Sequence, residues 1–193
     1  YLYGPVGSGK STLCSQVCEV FGLELFVKTA TFEPTELTGF KSIDGSYQMP
    51  AFVRLFRDGG CFVFDEFDRC DGQVIQVLND SLANGFMFLP DGARVDRHKD
   101  FILIASGNTP MLGGDAMHIA ERQDEAVRDR FLFIEVQYDE KLELQTAPHN
   151  AWTRHVQAIR KACLKLKLDI VVSPRASYTG GLYSDISSWD ELE

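Results

Sequence analysis

The chain has 193 residues, 45% of them hydrophobic and 24% charged, with a formal net charge of −9. That length can bury a substantial core, as one domain or as a domain with a small appendage. The acidity argues against wholesale electrostatic capture of nucleic acid or an anionic membrane; no run is apolar enough to span a bilayer, and no signal-peptide pattern is present.

In chain order, Tyr1-Leu2-Tyr3 is an apolar lead into Gly4-Pro5-Val6-Gly7-Ser8-Gly9-Lys10-Ser11-Thr12, which fits G-x-x-x-x-G-K-[ST] completely. A helix-like run from Thr12 to Phe21 follows. Gly7 and Gly9 permit positive φ, so successive N–H groups can point into one concavity, and the helix start adds the positive end of its dipole. Lys10 can reach the β- and γ-phosphates of a nucleotide, and the Ser11 hydroxyl can ligate Mg²⁺. This is a nucleotide-binding signature.

Leu23 to Thr29 alternates as a second strand, and Thr31 to Met49 is polar and glycine-bearing, a loop. Ala51 to Arg57 reads as a short helix stopped by Gly59-Gly60. Cys61 to Phe64 is an apolar run ending in Asp65-Glu66, the pattern of a buried parallel strand. Gly72 to Asn84 is helical, with Val74, Val77, Leu78 and Leu82 on one face. Phe86 to Leu89, Pro90-Asp91-Gly92 and Ala93 to Val95 predict a β-hairpin. Its Phe86, Met87 and Phe88 either pack on their own domain or stand ready to grip a substrate. Phe101 to Ala105 is another strand, ending at Ser106-Gly107-Asn108, and a glycine-containing loop runs on to Arg122. Asp124 to Arg130 is a short helix and Phe131 to Val136 a last strand.

From Tyr138 onward the pattern is helical. Trp152, Val156, Ile159, Cys163 and Leu166 form an apolar stripe, and Arg154, Lys161 and Lys165 form a solvated opposite face. Ser173-Pro174-Arg175 has the form of an N-cap, a proline in the first turn and a helix start. Strands alternating with helices predict an α/β fold with a right-handed parallel sheet of about five strands. The division expected is a nucleotide-binding core over 1–137 and the start of a helical lid over 138–193. The chain starts beside the phosphate loop without an initiator Met and stops after a helix-like segment, which reads as an excised piece. Five cysteines, an odd count with no metal-ligand spacing to one another or to the histidines, point to a reducing cytoplasm and to no zinc.

Ligands of open α/β sheets bind beyond the carboxyl ends of the strands. There Asp65 can hold Mg²⁺ through its water shell, and Glu66 can orient or deprotonate the attacking water. Asn108 can reach the γ-phosphate or that water. Arg130 sits at the amino end of the expected last strand. A six-residue strand is about 20 Å long, so Arg130 should lie far from its own chain's phosphates and would serve a neighbouring subunit. Arg128 competes for that role.

This constellation resembles the AAA+ ATPases. Gly4 to Ser11 matches their Walker A, Phe62 to Glu66 their Walker B, and Ser106 to Asn108 their sensor-1 strand. Asp129-Arg130-Phe131 is similar to the arginine-finger segment, and Ser173-Pro174-Arg175 to the sensor-2 helix, which would bring Arg175 onto the same chain's nucleotide. The hairpin from Phe86 to Val95 is similar to the helix-2 insert of the clade holding MoxR-like proteins, chelatase motor subunits and dynein-related domains. The loop from Asn108 to Asp115 is most similar to that of cobaltochelatase small subunits.

The resemblance implies an ATP- and Mg²⁺-dependent hydrolase forming a homo-oligomer, a hexameric ring, that remodels a partner protein or drives metal insertion. The alternatives are a GTP-driven motor of the kind found in restriction systems and a nucleotide-dependent assembly module without turnover. A nucleic-acid motor is disfavoured by charge.

Overall fold

A computed structural model describes residues 1–30, 33–113 and 125–182. Its central sheet has five strands in the order β2-β5-β8-β1-β9: β1 (Leu2–Tyr3), β2 (Leu25–Thr29), β5 (Gly60–Asp65), β8 (Phe101–Gly107) and β9 (Ile134–Glu135). The pairings of β2 with β5, β5 with β8 and β8 with β1 are all parallel. This is the P-loop NTPase architecture that the alternation of strands and helices predicts. The chain divides into two compact units. One holds Tyr1–Tyr3 and Lys10–Ile134; the other holds Gly4–Gly9 and the residues from Glu135 onward.

In the first unit, β5 is buried from Gly60 to Phe64, as its uninterrupted apolar run requires of a central strand. Side chains alternate across it. Phe62 meets Phe52 edge-on, with ring centroids 5.2 Å apart, and Phe64 meets Phe67 at 5.5 Å. Cys61 lies against Cys18 of α1 (Lys10–Val20). That helix buries Lys10, Cys14 and Cys18, one narrow stripe at i, i+4, i+8. Helix α3 (Ala51–Asp58) contributes Phe52, Val53, Leu55 and Phe56 to the core. Helix α4 (Gly72–Asn84) begins at Asp71, whose carboxylate accepts from the Gln73 N–H at 2.8 Å, and ends at Gly85 with φ of 69°. It buries Val74 and Leu78, with Val77 and Leu82 partly buried against the same core.

The hairpin forms as β6 (Phe86–Phe88) and β7 (Arg94–Asp96). Met87 and Val95 turn inward, Phe86 lies under the Arg94 guanidinium at 4.0 Å, and Phe88 is exposed. The three residues therefore do not present one common gripping face.

Three expectations need correction. The stretch expected as a loop over 31–49 carries α2 (Thr35–Thr38) and a small hairpin, β3 (Phe40–Lys41) with β4 (Tyr47–Gln48). Its turn is closed by the Asp44 carboxylate, which accepts from the Ser46 N–H at 2.9 Å and hydroxyl at 2.7 Å. Two-residue strands are too short to show a period, so only the turn chemistry was readable. The last strand, expected over Phe131 to Val136, shortens to β9: the Phe131 N–H is spent in a turn on the Arg128 carbonyl at 3.1 Å, while the Phe131 and Phe133 rings join a cluster around Tyr1, at 6.2 and 5.3 Å. The loop to Arg122 and the Asp124 start of the next helix fall largely or wholly outside the described residues; α5 (Glu125–Arg128) is described.

The third correction concerns the second unit. It contains α6 (Glu140–Thr146), α7 (Asn150–Lys165) and α8 (Arg175–Leu182). Helix α7 buries Thr153, Val156, Gln157, Arg160 and Cys163, while Ile159 and Leu166 are exposed. The inward stripe is thus rotated from the one expected, because a charged pair occupies its centre. Arg160 grips Glu143 with two N–H···O bonds of 2.9 Å, and Ser177 and Gln157 donate to the same carboxylate at 2.6 and 3.2 Å. With every charge answered, polar side chains can hold the middle of a helix packing. Arg154, Lys161 and Lys165 are exposed, Lys161 pairing with Glu140 at 2.8 Å.

Candidate functional site

Within the first unit, the carboxyl ends of β5 and β8 meet the amino end of α1. Lys10, the first residue of α1, is 8% exposed, and its Nζ donates to Asn108 Oδ1 at 3.2 Å. Ser11 Oγ donates to Asp65 Oδ2 at 2.9 Å. The other Asp65 oxygen accepts from Ser106 Oγ at 2.5 Å and from the Glu66 N–H at 3.0 Å. Both carboxylate oxygens are therefore aimed by fixed donors. Lys10, Ser11, Asp65 and Asn108 come together; Thr12 is exposed on α1.

Glu66 has left-handed backbone, φ 54° and ψ 37°, a conformation that disfavours a non-glycine residue and recurs at functional sites. Its carboxylate accepts from Arg69 Nη1 at 3.0 Å. The Ser106 hydroxyl was not singled out from the sequence. Its signal is the sheet register, Phe64 opposite Ala105, which sets the next residues, Asp65 and Ser106, side by side. That register exists only once strand order is known.

Within the second unit, Gly4–Gly9 form the cradle half of the motif. Gly4 has φ of 149°, and a methyl there would strike the Val136 carbonyl. Pro5 accepts from the Ser8 N–H at 3.2 Å, and Val6 accepts from the Tyr138 hydroxyl at 2.7 Å. Gly7 (φ 78°) is tight against Ser173, where an added Cβ would be 3.2 Å from the Ser173 Cβ, whereas Gly9 (φ 89°) opens on space. Ser8 Oγ is buried without a partner among the described residues. Arg175, the first residue of α8, is exposed and follows the Ser173-Pro174 pair.

Arg130 is exposed, its guanidinium donating to the Ala126 carbonyl at 2.5 Å. Arg128 is half-buried over the Phe133 ring at 5.6 Å.

The donor chemistry fits the groups that the motif implies. A hydroxyl and a carboxylate oxygen 2.9 Å apart are hard ligands of the kind Mg²⁺ takes, one or two from protein and the rest from water and phosphate. A buried, unpartnered Ser8 hydroxyl in a loop of positive-φ glycines is a donor suited to a phosphate oxygen.

Residues 1–131 match the family model described as AAA domain (dynein-related subfamily). Among solved structures, a protein of Cytophaga hutchinsonii assigned as an ATPase is similar at 20% identity, with a TM-score of 0.57 over 75% of this chain and 43% of that one. NtrX from Brucella abortus is similar at 18% identity, with a TM-score of 0.57 over 79% of this chain and 37% of that one. The chain thus spans less than half the length of either protein, and at these identities the likeness speaks to the fold.

Proposed function

The chain belongs to the dynein-related subfamily of AAA domains, and from that premise we propose that it binds ATP with Mg²⁺, hydrolyses it, and so drives remodelling of a partner protein or metal insertion by an associated subunit. The observation that carries this reading is the Ser11–Asp65 contact at 2.9 Å beside the Lys10–Asn108 contact at 3.2 Å. Bound there, Mg²⁺ would neutralise phosphate charge. Ser11 and Asp65 would hold the ion, Lys10 would bind the phosphates, Asn108 would read the γ-phosphate, and Glu66 would orient water. Arg175 would act on its own chain's nucleotide. Arg130, exposed where Arg128 is packed on Phe133, would complete a neighbour's site, which requires a homo-oligomer, here read as a hexameric ring. The five cysteines are buried and not disulfide-bonded, in keeping with a cytoplasmic setting.

The Glu66–Arg69 contact at 3.0 Å is the observation behind a second reading, a nucleotide-dependent assembly module without turnover, in which the guanidinium keeps the carboxylate from an attacking water.

The experiment is ATP turnover per subunit against protein concentration for wild type, Glu66→Gln and Arg130→Ala, with GTP as competitor. Turnover that rises with concentration, vanishes in both variants and returns partly on mixing them supports the shared-site ATPase. Intact ATP binding with no turnover in the wild type moves the reading to the assembly module, and equal competition by GTP moves it to a GTP-driven motor.

A further inference from the structure

Asp68 lies two residues beyond Glu66, in the 3₁₀ turn Phe67–Arg69. It is a carboxylate only 2% exposed, and its Oδ1 is buried without a hydrogen-bond partner among the described residues. One of its oxygens, Oδ2, accepts three hydrogen bonds: from the Asn108 N–H at 3.0 Å, the Thr109 N–H at 3.1 Å and the Thr109 hydroxyl at 3.0 Å. From the other side the Tyr1 hydroxyl donates to the Thr109 carbonyl at 2.9 Å. The peptide that follows β8 is thereby fixed at two N–H groups, one carbonyl and one side chain.

Gly107 makes room for this. Its φ is not positive, so the demand is one of space. A methyl there would strike the Tyr1 hydroxyl and stand 2.7 Å from the Asp68 carboxyl carbon. Burial, and after it the nearby Asp68 charge, push the Tyr1 phenol above its ordinary pKa, so it remains a neutral donor.

We propose that Asp68 is a positioning residue of the nucleotide site, clamping the Asn108–Thr109 backbone so that the Asn108 side chain is presented to Lys10. The inference rests on the ATPase reading above. With its backbone fixed, Asn108 keeps only two side-chain torsions, and its Oδ1 meets Lys10 Nζ at 3.2 Å. Because Asp68 belongs to the turn that also holds Glu66, the clamp makes the water-orienting carboxylate and the γ-phosphate reader one rigid body. Displacing a catalytic group by 1 Å costs on the order of 100-fold in rate, which sets the scale of the effect.

The test compares Asp68→Ala, Asp68→Asn, Asn108→Ala and the double variant Asp68→Ala/Asn108→Ala, with kcat for ATP and Kd for a non-hydrolysable ATP analogue as readouts. Asp68→Ala is expected to lower kcat about 10- to 100-fold with Kd changed less than about threefold. Asp68→Asn, which keeps one acceptor oxygen, is expected to recover part of the loss. The double variant is expected to be no slower than the slower single variant, because the two residues act as one unit. Losses that multiply, or an Asp68→Ala that lowers Tm and leaves kcat intact, overturn the proposal. Should Asp68→Ala not fold, Tyr1→Phe removes the opposite side of the clamp and is read in the same way.

A wild type that does not hydrolyse ATP would instead defeat the ATPase reading. The clamp is then decided by amide hydrogen exchange at Asn108 and Thr109. Protection in the wild type that is lost in Asp68→Ala and kept in part in Asp68→Asn upholds the clamp, and fast exchange in the wild type removes it.

Discussion

Arg69 Nη1 lies 3.0 Å from a Glu66 carboxylate oxygen, across the left-handed turn that ends β5. The two residues are three apart, and each side chain is between two-fifths and one-half exposed. A pair this exposed is weak, about 0–1 kcal/mol, so it can be exchanged for a water or phosphate contact without large cost. Arg69→Ala is expected to free the Glu66 carboxylate and raise ATP turnover up to about fivefold, the factor that about 1 kcal/mol corresponds to. Steady-state hydrolysis at saturating ATP checks this. A fall in kcat would show instead that Arg69 assists the reaction.

Arg128 and Arg130 separate by environment. Arg130→Ala removes an exposed side chain and is expected to change stability by less than about 0.5 kcal/mol while abolishing concentration-dependent turnover. Arg128→Ala removes a guanidinium stacked on Phe133 and is expected to lower Tm with residual turnover. Thermal unfolding and hydrolysis measured on the same two variants make the comparison.

The Glu143–Arg160 pair stabilises the helical unit, both side chains being under one-tenth exposed. Arg160→Ala leaves a buried carboxylate without its counter-ion and is expected to cost about 3–5 kcal/mol, read by denaturant unfolding. Burial acts to raise the Glu143 carboxyl, but hydrogen bonds from Arg160, Ser177 and Gln157 outweigh it and hold the pKa below its ordinary 4.5. A depressed carboxyl contributes stability that is complete above its unfolded value and is lost as pH falls through the lower folded one. Wild-type Tm is therefore expected to fall below about pH 4.5 more steeply than that of Glu143→Gln.

The cysteines are expected to be inert in the folded chain. All five are buried and none is in a disulfide. Burial, with the neighbouring Cys18 next, pushes the Cys14 thiol up to about 11, and burial with a hydrogen bond to Cys18 raises that of Cys61. At pH 8 such a thiol is about one part in a thousand thiolate, the reactive form. Iodoacetamide labelling followed by mass spectrometry should leave the native chain unmodified over times that label all five cysteines in urea.

The sequence by itself determined the phosphate-loop motif at Gly4–Ser11, the buried strand ending in Asp65-Glu66, the helix from Gly72 to Asn84, the hairpin and the parallel α/β class. These are local patterns, in which glycine conformation, side-chain period and turn chemistry act within a few residues. The tertiary structure decided the rest. The alignment of Ser106 beside Asp65 depends on β8 pairing with β5, and the Asp68 clamp depends on a turn meeting a strand end some 40 residues later. The inward face of α7 was misplaced because Arg160 reads as a surface cation until Glu143, 17 residues earlier in the chain, closes on it. Likewise the ring cluster of Tyr1 with Phe131 and Phe133 joins residues some 130 positions apart. Contacts at such separations leave no periodic trace along a chain, since each partner alone is indistinguishable from a solvated or core residue of its type.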